Sequence, residues 1–517
     1  MATKKESKQL FIVQFELKPE KWQKDIIDKR FEIARQIYNS AVSISRKNYN
    51  KMIRDNRYSA LMKKGSKSWD KDDKKLLKEI RIEYGFSDFG MSKILSNARN
   101  NYNTRCVDSR SISYMKNHLW AAWQKVLFAD GDRVHYRKYN EVNSLESDSI
   151  KFENGTIQWF NYKTPRYKKN PKKKTNTKPF IVPVDLNLKN EYNALALQNE
   201  VSSCVVCRKW IRGKFKYYVQ VRFKGVPPRT HDKKTGMFKH NIGVGRVGLD
   251  IGTQTIGIVS DTSVELLELA DKVKNIENQK RLLLRKLDRS RRATNPNNYN
   301  ADGTIKKQGN KKVTWVKSKH YIKLQSELKD IQGKQARIRK MQHEILANHI
   351  VSLGNQVFVE TMSFKGLQAK AKKTTTNSKG KINRKKRYGK SIGNKAPSML
   401  LTLIDRKLGY HGYQLNKIDT WSAKASQYNH FTDSYTKKSL NQRWNIFDNG
   451  DVIQRDLYSA FLIMNISDDL TSIDNKSCIN KYNWFKVLHD IEINRLKSES
   501  NKTMIGSMGV KKVPTNF

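Results

Sequence analysis

A chain of 517 residues exceeds what one hydrophobic core usually spans, so two or more domains are expected. Its 102 Lys and Arg against 48 Asp and Glu leave a formal charge of +54, which repels itself strongly unless a polyanion neutralises it; with 10% aromatic residues among the bases, nucleic acid is the fitting partner. No apolar run approaches the roughly 20 residues that cross a bilayer, the start "MATKKESKQLF" lacks a signal core, and four cysteines make no disulfide framework, so a cytoplasmic protein with no membrane partner is expected.

In chain order, "QLFIVQFEL" (9 to 17) alternates as a half-buried strand should, and Pro19 opens a helix with Trp22, Ile26, Phe31, Ala34 and Tyr38 on its apolar stripe. Residues 20 to 128 read as helical, and Met115, Leu119, Ala122 and Val126 form the stripe of the last helix. From about 133 to 225 the period changes to two, with "RG" as a hairpin turn between "EVSSCVVCRKWI" and "KFKYYVQVRF". This β-rich stretch carries a loop (163 to 178) with eight Lys or Arg and no acid. "RVGLDIGTQTIGIVSD" (246 to 261) is a buried strand and its return, with one acid, Asp250, between Gly248 and Gly252. The glycines are expected to let the strand pass close to its neighbours and turn promptly.

Two amphipathic helices follow, one carrying Val273, Ile276, Leu283 and Leu287, the other Leu324, Leu328, Ile331, Ile338, Met341 and Ile345. They read as an antiparallel hairpin about 45 Å long by helix rise. "NQVFVETM" (355 to 362) is a buried strand ending in Glu360, and residues 370 to 390 hold ten Lys or Arg and no acid. In "QRDLYSAFLIMNI" (454 to 466), Leu457, Ala460, Phe461 and Met464 mark a helix with Asp456 in its first turn.

Each acid alone is as readily a solvated or ion-paired residue; their order is what points to chemistry. In a ribonuclease H type fold the first acid lies on the central strand of an antiparallel set, the second ends a neighbouring parallel strand, and the third projects from a helix packed on the sheet. Phosphodiester hydrolysis suits such a trio, because two divalent ions about 4 Å apart activate water and stabilise the leaving oxygen, and hard carboxylates hold such ions best.

"GLDIGTQTIGIVSD", "VFVETMSFKGL" and "QRDLYSAFLIMNI", in this order and spacing, resemble the three RuvC motifs of the transposon-encoded TnpB nucleases and of their descendants, the type V CRISPR effector nucleases. "FELKPEKWQKDIIDKRFEIARQIYNSAV" (15 to 42) and "GNKAPSMLLTLIDRKLGYHGYQLNKID" (393 to 419) are similar to other segments of that family, so the resemblance covers nearly the whole chain. It implies an α/β multidomain protein: an RNase H-like RuvC nuclease domain plus a β-barrel-like wedge domain with an inserted helical recognition domain.

The expected boundaries are wedge 1 to 19 and 129 to 240, helical recognition 20 to 128, RuvC 241 to 422 with its helical hairpin at 269 to 350, the third RuvC motif at 453 to 470, and a C-terminal extension 471 to 517. Asp250, Glu360 and Asp456 match the family's catalytic, metal-holding acids. The resemblance also implies two Mg²⁺ ions, with Mn²⁺ as a substitute, a guide RNA of transposon or CRISPR origin, double-stranded target DNA with a short flanking motif, and a place at the prokaryotic nucleoid. Nucleic-acid contacts are expected around Arg35, Tyr38 and Asn39 and in the two basic loops, at Lys168, Lys172 and Lys173 and at Arg384, Lys385, Lys386 and Arg387.

One departure stands out. The family usually carries a zinc ribbon of two CxxC pairs between the second and third motifs, but residues 409 to 455 contain no cysteine, so no zinc is expected in the insertion at 423 to 452. Tyr428, Phe431, Tyr435, Trp444 and Phe447 would form an aromatic minicore there instead, with His430 on its surface or within it. Cys204 and Cys207 form a solitary CxxC in a strand, read as ordinary packing. Two other functions remain open on sequence: a nuclease-inactive RNA-guided DNA-binding repressor, and an unguided RuvC-type nuclease or transposase.

Overall fold

The computed structural model describes residues 9–102, 107–128, 131–159, 180–306, 313–369, 376, 388–439, 442–498 and 508–510. The chain divides into two compact units, Met1–Pro228 and Arg229–Phe517.

The first unit opens with strand β1 (Leu10–Leu17), whose alternate residues Phe11, Val13, Phe15 and Leu17 are buried. Helices α1 (Lys21–Met52), α2 (Asn56–Lys64), α3 (Lys71–Glu83), α4 (Asp88–Asn100) and α5 (Ser109–Phe128) follow. The backbone N–H of Glu20 donates to Gln23 Oε1 at 2.7 Å, satisfying one orphan donor at the start of α1. Ile27, Phe31, Ala34, Ile37, Ala41 and Val42 then bury one face of it. Trp22, expected on that stripe, is instead 53% exposed: it sits in the first turn, and its ring meets Phe180 edge-on rather than entering the core.

Strands β2 (Ser144–Glu146), β3 (Ile150–Glu153), β4 (Thr156–Trp159) and β5 (Phe180–Asp185), the short helix α6 (Glu191–Ala196), and strands β6 (Val201–Ile211) and β7 (Lys214–Lys224) complete the unit. They join β1 in a seven-stranded sheet of order β2-β6-β7-β1-β5-β4-β3, antiparallel at every pairing. The β6–β7 turn is Arg212-Gly213, both at positive φ (50° and 79°), the backbone a tight two-residue hairpin demands. Cys204 and Cys207 are buried in β6, and burial pushes their thiols up to about 12 and about 11, so they stay protonated.

The second unit is built on β8 (Arg246–Ile251), β9 (Thr255–Ser260) and β10 (Val264–Glu268), an antiparallel meander, followed by the hairpin helices α7 (Val273–Thr294) and α8 (Lys319–Leu353). At 1.5 Å per residue these helices run about 33 and 52 Å. Met341 and Ile345 are exposed (50% and 61%), contrary to the single apolar stripe expected along α8. The helix packs on α7 over its first half and on the sheet and α11 over its second, so the buried face rotates to His343, Ala347, Ile350 and Val351.

Strand β11 (Gln356–Glu360) returns beside β8, and α9 (Phe364–Gln368), α10 (Gly389–Lys395) and α11 (Pro397–Gly409) lead to β12 (Leu415–Ile418). Next come α12 (Thr420–Ala423), the small hairpins β13 (Tyr428–Asn429) with β14 (Ser434–Tyr435) and β15 (Trp444–Ile446) with β16 (Val452–Gln454), then α13 (Arg455–Met464) and α14 (Asn475–Ser498). The five-stranded sheet has the order β10-β9-β8-β11-β12, with β11 parallel to both β8 and β12.

Each face of this sheet has its own core. Val247, Leu249, Ile251, Val357 and Val359 pack under α8 and α11, while Phe358 joins the cluster formed by α13 and α14. β10 is an edge strand, and buried Glu492 of α14 accepts the Leu266 N–H at 2.8 Å, which covers part of that edge.

Candidate functional site

Period two decides which way the first two acids point. Val247, Leu249 and Ile251 face α8 and α11, so Gly248 and Asp250 face α13; likewise Val357 and Val359 face one side, Phe358 and Glu360 the other. The parallel register pairs Gly248 with Phe358 and Leu249 with Val359. One residue further, Asp250 and Glu360 leave neighbouring strands on the same face.

The third acid comes down onto that face. α13 starts at Arg455, with the Gln454 side chain accepting the Leu457 N–H at 2.8 Å, and Asp456 lies in its first turn. Gly257 is the register partner of Asp250, and its missing side chain gives the Asp456 backbone room to approach the sheet. Gly248 does the same one turn later, for a Cβ there would run into the Ala460 carbonyl and the Met464 amide. Gly252 meets nothing as close, so of the two glycines flanking the acid only Gly248 serves close approach.

Asp250 senses the other two carboxyl groups. Asp250 keeps some surface as a residue, yet its carboxyl is embedded in protein. Desolvation raises its pKa well above the usual carboxylate value, and the charges of Asp456 and Glu360 raise it further. Desolvation alone raises Glu360. The cation nearest at hand is Arg455, whose Nη2 lies 3.0 Å and Nε 3.1 Å from Asp456 Oδ1, and whose charge also favours ionised Asp250.

Three hard carboxylates on a desolvated face fit a divalent ion by donor chemistry. Among the described residues, however, no group of three His, Cys, Asp or Glu side chains is placed so that it could hold a metal ion, and Arg455 engages the Asp456 carboxylate.

Sequence reading missed Arg455 and Gly257. The signal for the first was its place beside the acid in "QRD"; for the second, the glycine of "TIGIV", which only strand register connects to Asp250.

The other expected contacts fare differently. Arg35 pairs with Glu32 and donates from Nη1 to the Arg137 carbonyl at 3.0 Å, Asn39 donates to that carbonyl at 2.9 Å and accepts the Arg137 N–H at 2.8 Å, and Tyr38 is buried. Arg35 and Asn39 thus hold the backbone at Arg137, while the Tyr38 ring lies under its guanidinium, 5.4 Å from the centroid. Lys168, Lys172, Lys173, Arg384, Lys385, Lys386 and Arg387 lie outside the described residues.

In the cysteine-free insertion, the aromatic cluster differs from the expected one. Tyr428 and Phe447 are buried, but Phe431 and Tyr435 are 43% and 48% exposed and Trp444 is half-buried. The cluster is completed by Tyr458 and Phe461 of α13 and Tyr482 and Phe485 of α14, with His430, 1% exposed, at its centre. Tyr458 Oη accepts the His430 N–H at 3.2 Å and lies 2.7 Å from Nδ1, while Nε2 is buried with no partner among the described residues. The insertion borrows its core from the helix that carries Asp456.

Residues 10–54 match the helix-turn-helix domain model of the IS605 OrfB type, and this bears out the likeness to the TnpB-like family at the amino-terminal segment. The matched stretch folds here as β1 and the single long helix α1. A search of curated proteins gives no match. Two solved structures are weakly similar: the Cas12i1 R-loop complex before target DNA cleavage, at 9% identity and a TM-score of 0.26, and its selenomethionine form, at 10% and 0.26. Each alignment covers 92% of this chain and 65% of that one, so the chain spans just under two thirds of the length of these structures. At that TM-score the likeness defines no common fold.

Proposed function

We propose that the chain is an RNA-guided, divalent-metal-dependent DNA endonuclease whose second unit cuts with Asp250, Glu360 and Asp456. One observation carries the reading: acids from two neighbouring strands and one helix share a sheet face, where desolvation first, and then the charges of Asp456 and Glu360, raise the pKa of Asp250. Like charges held together are destabilising, and the Arg455–Asp456 pair still leaves Asp250 and Glu360 with raised pKa values, so the assembly is best explained by the cations the acids would hold. The sheet order, with antiparallel β8 to β10 and parallel β11 and β12, agrees with an RNase H-like RuvC core. The match at residues 10–54 and the charge of +54 agree with a TnpB-like protein bound to guide RNA and target duplex.

In this reading the seven-stranded sheet is the wedge, α1 to α5 are the recognition helices, and 423 to 452 is the metal-free counterpart of a zinc ribbon. Mg²⁺ or Mn²⁺, when bound, would supply a nucleophilic water and charge stabilisation at the leaving oxygen. Asp250 and Glu360, fixed on adjacent strands, orient the site from the sheet. Asp456 closes it from the helix once Arg455 releases its carboxylate. Base pairing to the guide supplies sequence discrimination, and the basic surface holds backbones in a salt-dependent way.

The test is cleavage of guide-matched DNA by the full chain with its copurifying RNA, with Mg²⁺ or with chelator, beside Asp250→Ala. Cleavage that needs Mg²⁺, RNA and Asp250 supports the reading. RNA-dependent DNA binding without cleavage points to a repressor, and cleavage of bare DNA without RNA to an unguided nuclease.

A further inference from the structure

Trp421 is 87% exposed, more than any other aromatic residue described. An indole left in water forgoes the burial that usually fixes it, since such side chains bury roughly 150–250 Å². Its backbone, by contrast, is firmly held. Asp419 Oδ1 accepts the Trp421 N–H at 3.0 Å and Oδ2 accepts the Ser422 hydroxyl at 2.9 Å, while the Asp419 N–H donates to the Leu470 carbonyl at 2.9 Å. Ala423 and Ala425 are fully buried beneath the turn.

The mount is tied to the strand that carries Glu360. Ile418 is the register partner of Glu360, Thr361 Oγ1 donates to the Ile418 carbonyl at 2.9 Å, and Thr420 Oγ1 donates to the Thr361 carbonyl at 3.2 Å. A solvent-facing indole on a firmly held backbone thus stands three residues beyond the partner of Glu360, with the exposed Lys424 three residues further.

We propose that Trp421 is a stacking platform for one nucleobase of a single-stranded segment entering the acidic site, with Lys424 on an adjacent phosphate; this rests on the nuclease reading above. An aromatic face beside a lysine is the pairing that single-strand binding uses, and it accepts any base because every base has a π-face. Duplex DNA hides those faces, so the platform selects unpaired nucleotides.

The test uses the full chain in chelator, at about 0.15 M salt, with mixed-sequence single-stranded oligonucleotides carrying 2-aminopurine at one position at a time. Native protein should quench the probe at a defined position. Trp421→Ala should abolish that quenching and weaken binding roughly five- to a hundred-fold, with Trp421→Phe restoring affinity to within about threefold. Because the ring is exposed, thermal unfolding should not change. Unchanged quenching and affinity in Trp421→Ala overturn the proposal, as does an effect confined to self-association in light scattering. Asp250→Ala separates the two readings: it should quench and bind as the native chain does while losing Mg²⁺-dependent cleavage. If it still cleaves, the nuclease reading fails, and the stacking result stands on its own.

Discussion

A Cβ built on Gly257 would stand 2.7 Å from the carbonyl oxygen of Asp456, closer than real Cβ atoms approach. Since Gly257 is also the register partner of Asp250, this one missing side chain sets how near the helical acid comes to the strand acid. Gly257→Ala should push the start of α13 off the sheet, costing about 1–3 kcal/mol of stability by overpacking. It should lower cleavage more than the lost stability explains. Chemical denaturation together with single-turnover cleavage checks this; native activity in a stably folded Gly257→Ala would refute the spacing argument.

Asp250→Asn removes the embedded charge while keeping the shape. In chelator the variant should be more stable than the native chain, by on the order of 1–3 kcal/mol, because desolvation and the charges of Asp456 and Glu360 both oppose ionised Asp250. Cleavage should be lost. Urea unfolding with and without Mg²⁺ measures the first effect, and a lower stability of Asp250→Asn in chelator would contradict it.

Arg455 is the counter-cation for Asp456 in the absence of metal. Arg455→Ala should be destabilised by about 1–2 kcal/mol in chelator. Added Mg²⁺ or Mn²⁺ should raise its unfolding temperature more than that of the native chain, since ions need no longer displace a guanidinium. Scanning calorimetry over a metal titration reads the difference, and equal shifts in the two proteins would show that Arg455 does not compete with cations.

His430 supplies a pH dependence. Burial pushes its pKa down from 6.5 to about 4, so the folded state resists protonation that the unfolded chain accepts. The linked stability is therefore intact above about 6.5 and is lost as pH falls towards about 4. The loss should reach roughly 3 kcal/mol relative to His430→Phe, which cannot protonate. Urea unfolding of both proteins between those pH values tests the sign; parallel stability curves would mean that His430 is not the group responsible.

Much of this architecture was legible from local pattern. Alternation in "LFIVQFEL" gave β1, the Arg212-Gly213 turn followed from its flanking strands, and the two apolar stripes gave the α7–α8 hairpin. Trp22, Met341 and Ile345 were misread because periodicity marks apolar positions without saying where along a helix its neighbour changes. The aromatic cluster was half legible: its segment lay in view, but Tyr458, Phe461, Tyr482 and Phe485 are contributed by helices read for other reasons.

By itself the sequence determined that Asp250 and Glu360 oppose the Val, Leu and Ile face of their strands and that Asp456 opens a helix, because side-chain direction follows from backbone periods of two and 3.6 residues. Only the tertiary structure decided that Gly257 lies across from Asp250, that Arg455 closes on Asp456, and that a buried histidine centres the cysteine-free insertion. Those relations depend on strand register and on which helix covers which face. The same packing sets the Asp456 backbone against Gly257, about two hundred positions away, where no local rule of spacing reaches.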